Sequence, residues 1–188
     1  MNEFQTFEFT TTQKTYGIWL VKKIALIISY IAFVITVLIV GFLSRIGLPL
    51  LAFTPLATWI LIFITWRYVS VEYECSMTSG QFTFAKVYGS KTRKVIFETE
   101  IKAMSLIAPY TDEYLKKAEA FRPTEEYCAL SSPKADNQYF AIFENKDAKR
   151  VIFIFEANKR CLDIMKFYNS TATVIERSNK TYDSHRFQ

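Results

Sequence analysis

The chain of 188 residues has a single histidine, His185, close to its last position. That scarcity argues against most imidazole-based catalysis and against His-rich metal sites. Three cysteines are too few for a disulfide framework. Cys75, Cys128 and Cys161 match no zinc spacing and form no C-x-x-C pair. They are expected as small core residues in a reducing compartment. Glycine and proline number five each, which excludes a collagen-like or low-complexity chain. No G-x-S-x-G, H-E-x-x-H, P-loop or dinucleotide-binding glycine motif is present. Net charge is only +5, from 23 basic and 18 acidic residues. A balance this mild does not suggest nucleic-acid binding.

Charge is most conspicuously missing from two stretches. Ile24–Leu43 reads IALIISYIAFVITVLIVGFL and Leu48–Trp66 reads LPLLAFTPLATWILIFITW, neither with one charge. At 1.5 Å per residue, about 20 helical residues span the roughly 30 Å hydrocarbon layer of a bilayer. A buried soluble helix of that length normally shows a polar face. A cleaved signal peptide is rejected, because a polar stretch precedes the first run and a second run follows it at once. The link Ser44-Arg45-Ile46-Gly47 is short enough to make the runs an antiparallel transmembrane hairpin, at about 24–43 and 48–66 within 16–67. Pro49 suits the first turn of the second helix, whereas Pro55 should kink it.

Flanking charge orients the pair. Lys14, Lys22 and Lys23 precede the first run and Arg67 follows the second, against Arg45 alone at the far turn. The positive-inside rule then makes both termini cytoplasmic in a multi-pass cell-membrane protein. The expected interface anchors are Tyr16, Trp19, Lys22 and Lys23 before the first span, and Trp66, Arg67 and Tyr68 at the end of the second. Neither span carries an ionisable acid or base, which argues for anchoring rather than transport. Gly41 and Ser44, with Ala25 and Ser29, offer small-residue faces through which copies could self-associate.

After Arg67 the pattern changes to period two. Val69, Val71, Tyr73, Cys75 and Met77 alternate with polar residues. Ser79-Gly80 reads as a hairpin turn, and Phe82 and Phe84 continue the alternation. Further strands are expected at 94–98, 126–130, 138–143 and 150–155, with Ile101–Ala108 ambiguous. The segment Arg150–Phe155 is apolar on both faces, as for a strand covered on both sides. Thr111 and Asp112 offer a cap for a helical insertion at about 112–121, which Pro123 ends. Asn158 is placed to cap a closing helix striped by Cys161, Ile164, Met165 and Tyr168. Residues 171–188 read as a polar, flexible tail. Phe7 and Phe9 alternate with Thr6, Glu8 and Thr10, so segment 1–15 is expected to add a strand to the soluble domain at 68–170.

Two spans, the exit strand VEYECSMTSGQFTFAKV, a basic turn and a closing IFIFEANKRCLDIMKFY helix resemble the bacterial membrane-anchored PH-like domain proteins. The resemblance runs from Phe4 to about Asn169. It implies an α+β fold: a transmembrane helical hairpin, then a PH-like antiparallel half-barrel of six or seven strands with a C-terminal capping helix. It implies a location and no reaction.

The candidate site is the basic turn, where Lys86, Lys91, Arg93 and Lys94 surround Gly89 and could grip a lipid phosphate. A solvated turn is the plain alternative. Glu98/Glu100 and Glu125/Glu126 read as solvated strand faces, and no catalytic residue, metal or cofactor is expected. The leading expectation is a non-enzymatic membrane module that presents a cytosolic domain at the inner leaflet for a protein or peptide partner. An anionic-lipid-responsive domain and a membrane-bound enzyme with an unrecognised site are the alternatives.

Overall fold

A computed structural model of the chain describes residues 6–12, 18–43, 47–67, 69–89 and 91–176. They fall into two compact units. One comprises 15–71 with 88–92, and the other 1–14, 72–87 and 93–188.

The first unit is built on two apolar helices, α1 (Ile18–Leu43) and α2 (Gly47–Trp66). Leu20–Leu43 is long and apolar enough to cross a membrane, and Leu51–Trp66 is a shorter apolar stretch. The middle of α1 meets the end of α2 where the hydroxyls of Tyr30 and Thr65 share a hydrogen bond of 2.5 Å. At the other end Gly41 packs on Leu51 and Gly47. A Cβ on Gly47 would lie 1.8 Å from the Gly41 carbonyl oxygen, so this approach requires glycine. Gly41 is thus buried within the helix pair, while Ala25 and Ser29 are exposed. Thr36, Thr58 and Thr65 donate their hydroxyls to the carbonyls of Ala32, Thr54 and Leu61, four residues back. That satisfies each hydroxyl donor within its own helix. α2 stays helical through Pro55.

The second unit carries two four-stranded sheets. The first orders β1 (Thr6–Thr12), β2 (Val71–Thr78), β3 (Gln81–Tyr88) and β4 (Thr92–Glu100). β1 pairs antiparallel with β2, setting Phe7 opposite Met77 and Phe9 opposite Cys75. This keeps the two phenylalanines on the half-buried phase and Thr6, Glu8 and Thr10 outward. The β2–β3 turn has Ser79 and Gly80 both at positive φ, the geometry that matches the twist of a two-residue hairpin.

The segment that the alternation left ambiguous is a short 3-10 turn at Ile101–Ala103 followed by β5 (Met104–Pro109). Then come α3 (Asp112–Phe121), β6 (Glu125–Ala129), β7 (Gln138–Glu144), β8 (Arg150–Glu156) and α4 (Lys159–Tyr168). The second sheet runs β5-β7-β8-β6. β6 pairs with β8 in parallel, so this sheet is mixed and the expected all-antiparallel arrangement is corrected. The physical reason is α3, which separates β5 from β6 in the chain and lets β6 join the far side of β8 rather than fold straight back.

Aromatic residues join the two sheets. The Phe153 ring lies 5.5 Å from Phe82, 4.8 Å from Phe84 and 5.2 Å from Phe97. Phe97 also meets Phe143 at 5.1 Å and Tyr127 at 5.5 Å. On the opposite face of the second sheet Tyr114, Leu115 and Ala118 of α3 cover Phe140, Ile142, Ile152 and Ile154. Every residue from Val151 to Phe155 is consequently buried, which is why β8 is apolar in both phases.

Helix ends show one agreement and one correction. Asn158 accepts a hydrogen bond from the Cys161 N–H at 2.7 Å, as an N-cap should. Thr111 occupies the N-cap of α3, but its side chain makes no capping bond, so the expected hydroxyl cap is absent. Asp112 and Glu113 in the first turn still complement the helix dipole. Arg122 closes α3 in the left-handed conformation at φ +52°, ahead of Pro123.

The expectation of a flexible tail from position 171 is corrected for the residues that follow it directly. Ala172 and Thr173 are buried, and Thr173 bridges Ile107 on the outer side of β5. The Ile107 N–H donates to the Ala172 carbonyl and the Val174 N–H to the Ile107 carbonyl, each at 2.8 Å. Backbone pairing along a sheet edge thus holds a segment whose composition looks like a tail. The expectation for 177–188, including His185, lies outside the described residues.

Candidate functional site

The side chains with functional potential gather at the C-terminal end of α2. Trp59, Ile62, Phe63 and Trp66 follow one another at i, i+3, i+4 and i+7, a single helix face. Trp59 and Phe63 stack with centroids 5.7 Å apart. Trp59 is 63% exposed, Phe63 56% and Trp66 41%, so this face is left unburied. Arg67 caps the aromatic run, and the turn residues Gly89 and Lys91 stand beside it. Together these residues line a cleft of about 320 Å³.

Local backbone geometry explains why the turn comes so near. Gly89 has φ +57°, and a Cβ there would lie 2.8 Å from the Cβ of Arg67. Its N–H donates to the Ser70 carbonyl at 2.8 Å. Any larger residue would be strained at this φ and would push the turn from Arg67. Arg67 Nη2 donates to Thr92 Oγ1 at 3.1 Å, and Lys91 Nζ sits 4.5 Å above the Phe63 ring. The lining residues include two cations and no acid, so the cleft favours an anion.

The basic turn expected from sequence does not act as one cluster. Lys91 alone of its four cations lines the cleft. Arg93 forms an ion pair with Glu74 at 2.7 Å, and that hydrogen bond holds its guanidinium proton more firmly than usual. Lys86 is half-buried with Nζ 5.8 Å over the Tyr73 ring. Burial chiefly pushes its pKa down, Cys128 opposes this, and Lys94 adds to it. Lys94 is exposed on β4. The reason is strand alternation: consecutive residues of β4 point to opposite faces, so Arg93 and Lys94 cannot share one target.

Of the expected interface anchors, Trp66 and Arg67 are in the cleft wall and rim. Lys22 is exposed and Lys23 half-buried in the second turn of α1. Tyr16, Tyr68 and the side chain of Trp19 lie outside the described residues. Trp59, Ile62 and Phe63 were not singled out from sequence. Their spacing was visible, but on a helix apolar all round no stripe stands out.

Elsewhere the reactive groups are quiet. Cys75 and Cys161 are buried and Cys128 is half-buried. Burial pushes the Cys75 and Cys161 thiols up, and for Cys75 the neighbouring Cys161 and Glu74 add to the effect. Glu98 and Glu100 are exposed. Glu125 pairs with Lys149 at 2.5 Å and accepts from the Tyr127 hydroxyl at 2.9 Å. Among the described residues no group of three or more His, Cys, Asp or Glu side chains could hold a metal ion.

No curated protein and no solved structure matches the chain. The family model described as Bacterial PH-like domain (DUF6106) matches residues 11–175. That match runs from β1 through both apolar helices and α3 to the segment bridging β5, so the chain belongs to the bacterial PH-like domain family.

Proposed function

We propose that this protein is a membrane-anchored, non-enzymatic PH-like module, held by two spans with both termini in the cytoplasm. One observation carries the reading: α1 and α2 pack on each other yet leave their apolar side chains outward. A soluble protein rarely exposes so large an apolar surface, whereas lipid chains cover it without cost. The Lys22, Lys23 and Arg67 side of the pair faces the cytoplasm on the positive-inside rule.

The module acts by binding. Burial keeps the Cys75 and Cys161 thiols protonated, and Glu125 is engaged by Lys149. The proposed partner is an extended peptide of another membrane-associated protein, adding to the outer edge of β1. Among the described residues β1 ends its sheet, with its partner β2 on one side only. The outer side of β5, by contrast, is already bridged by Thr173. Confinement to one surface raises the effective concentration of both partners, so a weak strand addition suffices.

Flotation of the full chain with lipid vesicles tests the anchoring; a chain that stays at the bottom of the gradient refutes it. A photo-crosslinker at exposed Glu8, in native membranes, tests the partner. Capture of one protein at Glu8 but not at Lys116 on α3 is expected, and equal labelling at the two positions counts against an edge-strand site.

A further inference from the structure

We propose that the cleft at the end of α2 binds an anionic phospholipid, with the phosphate between Arg67 and Lys91 and the first acyl carbons along Trp59 and Phe63. The inference rests on the anchoring reading and adds a ligand class and a site to it. Three observations converge. The wall is apolar and exposed, and it continues the uncharged surface of α2. The rim holds two cations and no acid, which is complementary to a phosphate. The volume, about 320 Å³, suits a headgroup with the start of its chains.

The position along the helix matters as much as the composition. Arg67 is the first charged residue after the uncharged stretch from Leu48 to Trp66. In a bilayer a helix that long ends at headgroup depth, and tryptophans such as Trp66 favour that depth. Lys91 is aligned by its contact with the Phe63 ring, and Arg67 by its bond to Thr92. An anion entering here meets two oriented cations whose side-chain freedom is already reduced.

The site differs from the basic turn as a whole. Arg93 is engaged by Glu74 and Lys86 lies over Tyr73, so neither is assigned a role. Gly89 is a positioning residue: it lets Lys91 reach the aromatic wall.

The test uses the full chain reconstituted into vesicles of phosphatidylcholine and phosphatidylglycerol in equal amounts. After flotation confirms insertion, the protein is extracted and its retained lipid is identified by native mass spectrometry. Phosphatidylglycerol is expected to be enriched in the bound fraction. Arg67→Gln and Lys91→Gln should each reduce that enrichment about fivefold, and the double variant should abolish it. Arg67→Lys with Lys91→Arg should retain it, which separates loss of charge from loss of fold. Lys116→Gln with Lys117→Gln, on α3, should leave it unchanged. A wild-type protein that floats but retains both lipids equally overturns the site while leaving the anchoring intact. Enrichment that survives in the double variant, or that free inorganic phosphate displaces, overturns the lipid assignment. A chain that fails to float overturns both readings.

Discussion

The two units place their apolar residues by opposite rules. In the sheet unit the five residues Val151–Phe155 are all buried, and aromatic rings from both sheets pack edge to face at the centre. In the helical unit Phe53 and Trp59 are 65% and 63% exposed, while the buried positions include small Gly41 and Gly47. Water drives the first pattern, since apolar area removed from it is worth about 25 cal/mol per Å². In the proposed bilayer setting the second has no such drive: close packing needs small residues inside, and the large side chains would face lipid. The contrast teaches that mean apolar content does not distinguish the units, but the side on which bulk is placed does.

The contrast breaks most sharply if the helical unit is made water-compatible. Ile35→Asp with Leu56→Asp puts a carboxylate near the middle of each apolar run, at about 3 kcal/mol each on insertion scales. The expected outcome is loss of the protein from carbonate-washed membranes, while near-UV circular dichroism of the sheet unit is retained. The converse variant is Phe153→Ala. Removing a ring that touches Phe82, Phe84 and Phe97 should cost about 3–5 kcal/mol of domain stability. Denaturant titration in detergent reads that loss, and flotation should be unchanged. If both variants altered both readouts equally, the units would not be governed by different solvents.

How much of this was visible in the sequence follows from the same contrast. The runs 24–43 and 48–66 announce themselves as apolar helices through missing charge, and Leu20–Leu43 is long and apolar enough to cross a membrane. The double apolar phase of 150–155 likewise foretold a covered strand, and α3 supplies the cover. The direction of β6 was not legible. Period-two alternation is the same in parallel and antiparallel strands, so Glu125–Ala129 reads identically either way. The segment 172–174 was misread because its hydrogen bonds are made by backbone, which every sequence possesses. The cleft was hidden for a different reason. It joins Trp59–Arg67 to Gly89 and Lys91 across a strand pair, and the dense basic turn drew attention to Arg93 and Lys94, which face elsewhere.

A smaller effect sharpens the comparison at a helix end. Asn158 caps α4 through its side chain, whereas α3 manages without a hydroxyl bond at Thr111. Asn158→Ala should therefore lower domain stability by about 1 kcal/mol, and Thr111→Ala by distinctly less. Equal losses would mean that the two caps act through backbone conformation alone. Thermal unfolding of matched samples decides the matter.

The smallest expected effect concerns pH, and it separates the units by sign and by window. Hydrogen bonds from Lys149 and Tyr127 lower the Glu125 pKa, and its bond to Glu125 raises that of Lys149. A depressed carboxylate contributes stability above its unfolded pKa and loses it as pH falls through the lower, folded value. A raised lysine contributes below its unfolded pKa and loses it as pH rises through the higher, folded value. The pair should thus support the sheet unit across the neutral range and fade at both the acid and the alkaline limit. The stability gap between wild type and Glu125→Gln should narrow below the ordinary carboxylate range and shrink with added salt, since Lys149 is exposed. The helical runs hold no Asp, Glu, Lys, Arg or His between Ile24 and Leu43 or between Leu48 and Trp66. Their partition into vesicles should stay flat while the acid limb of domain stability falls. A partition that followed the Glu125 titration would mean that the sheet unit, rather than the helices, sets membrane attachment, and the proposed division of labour would be reversed.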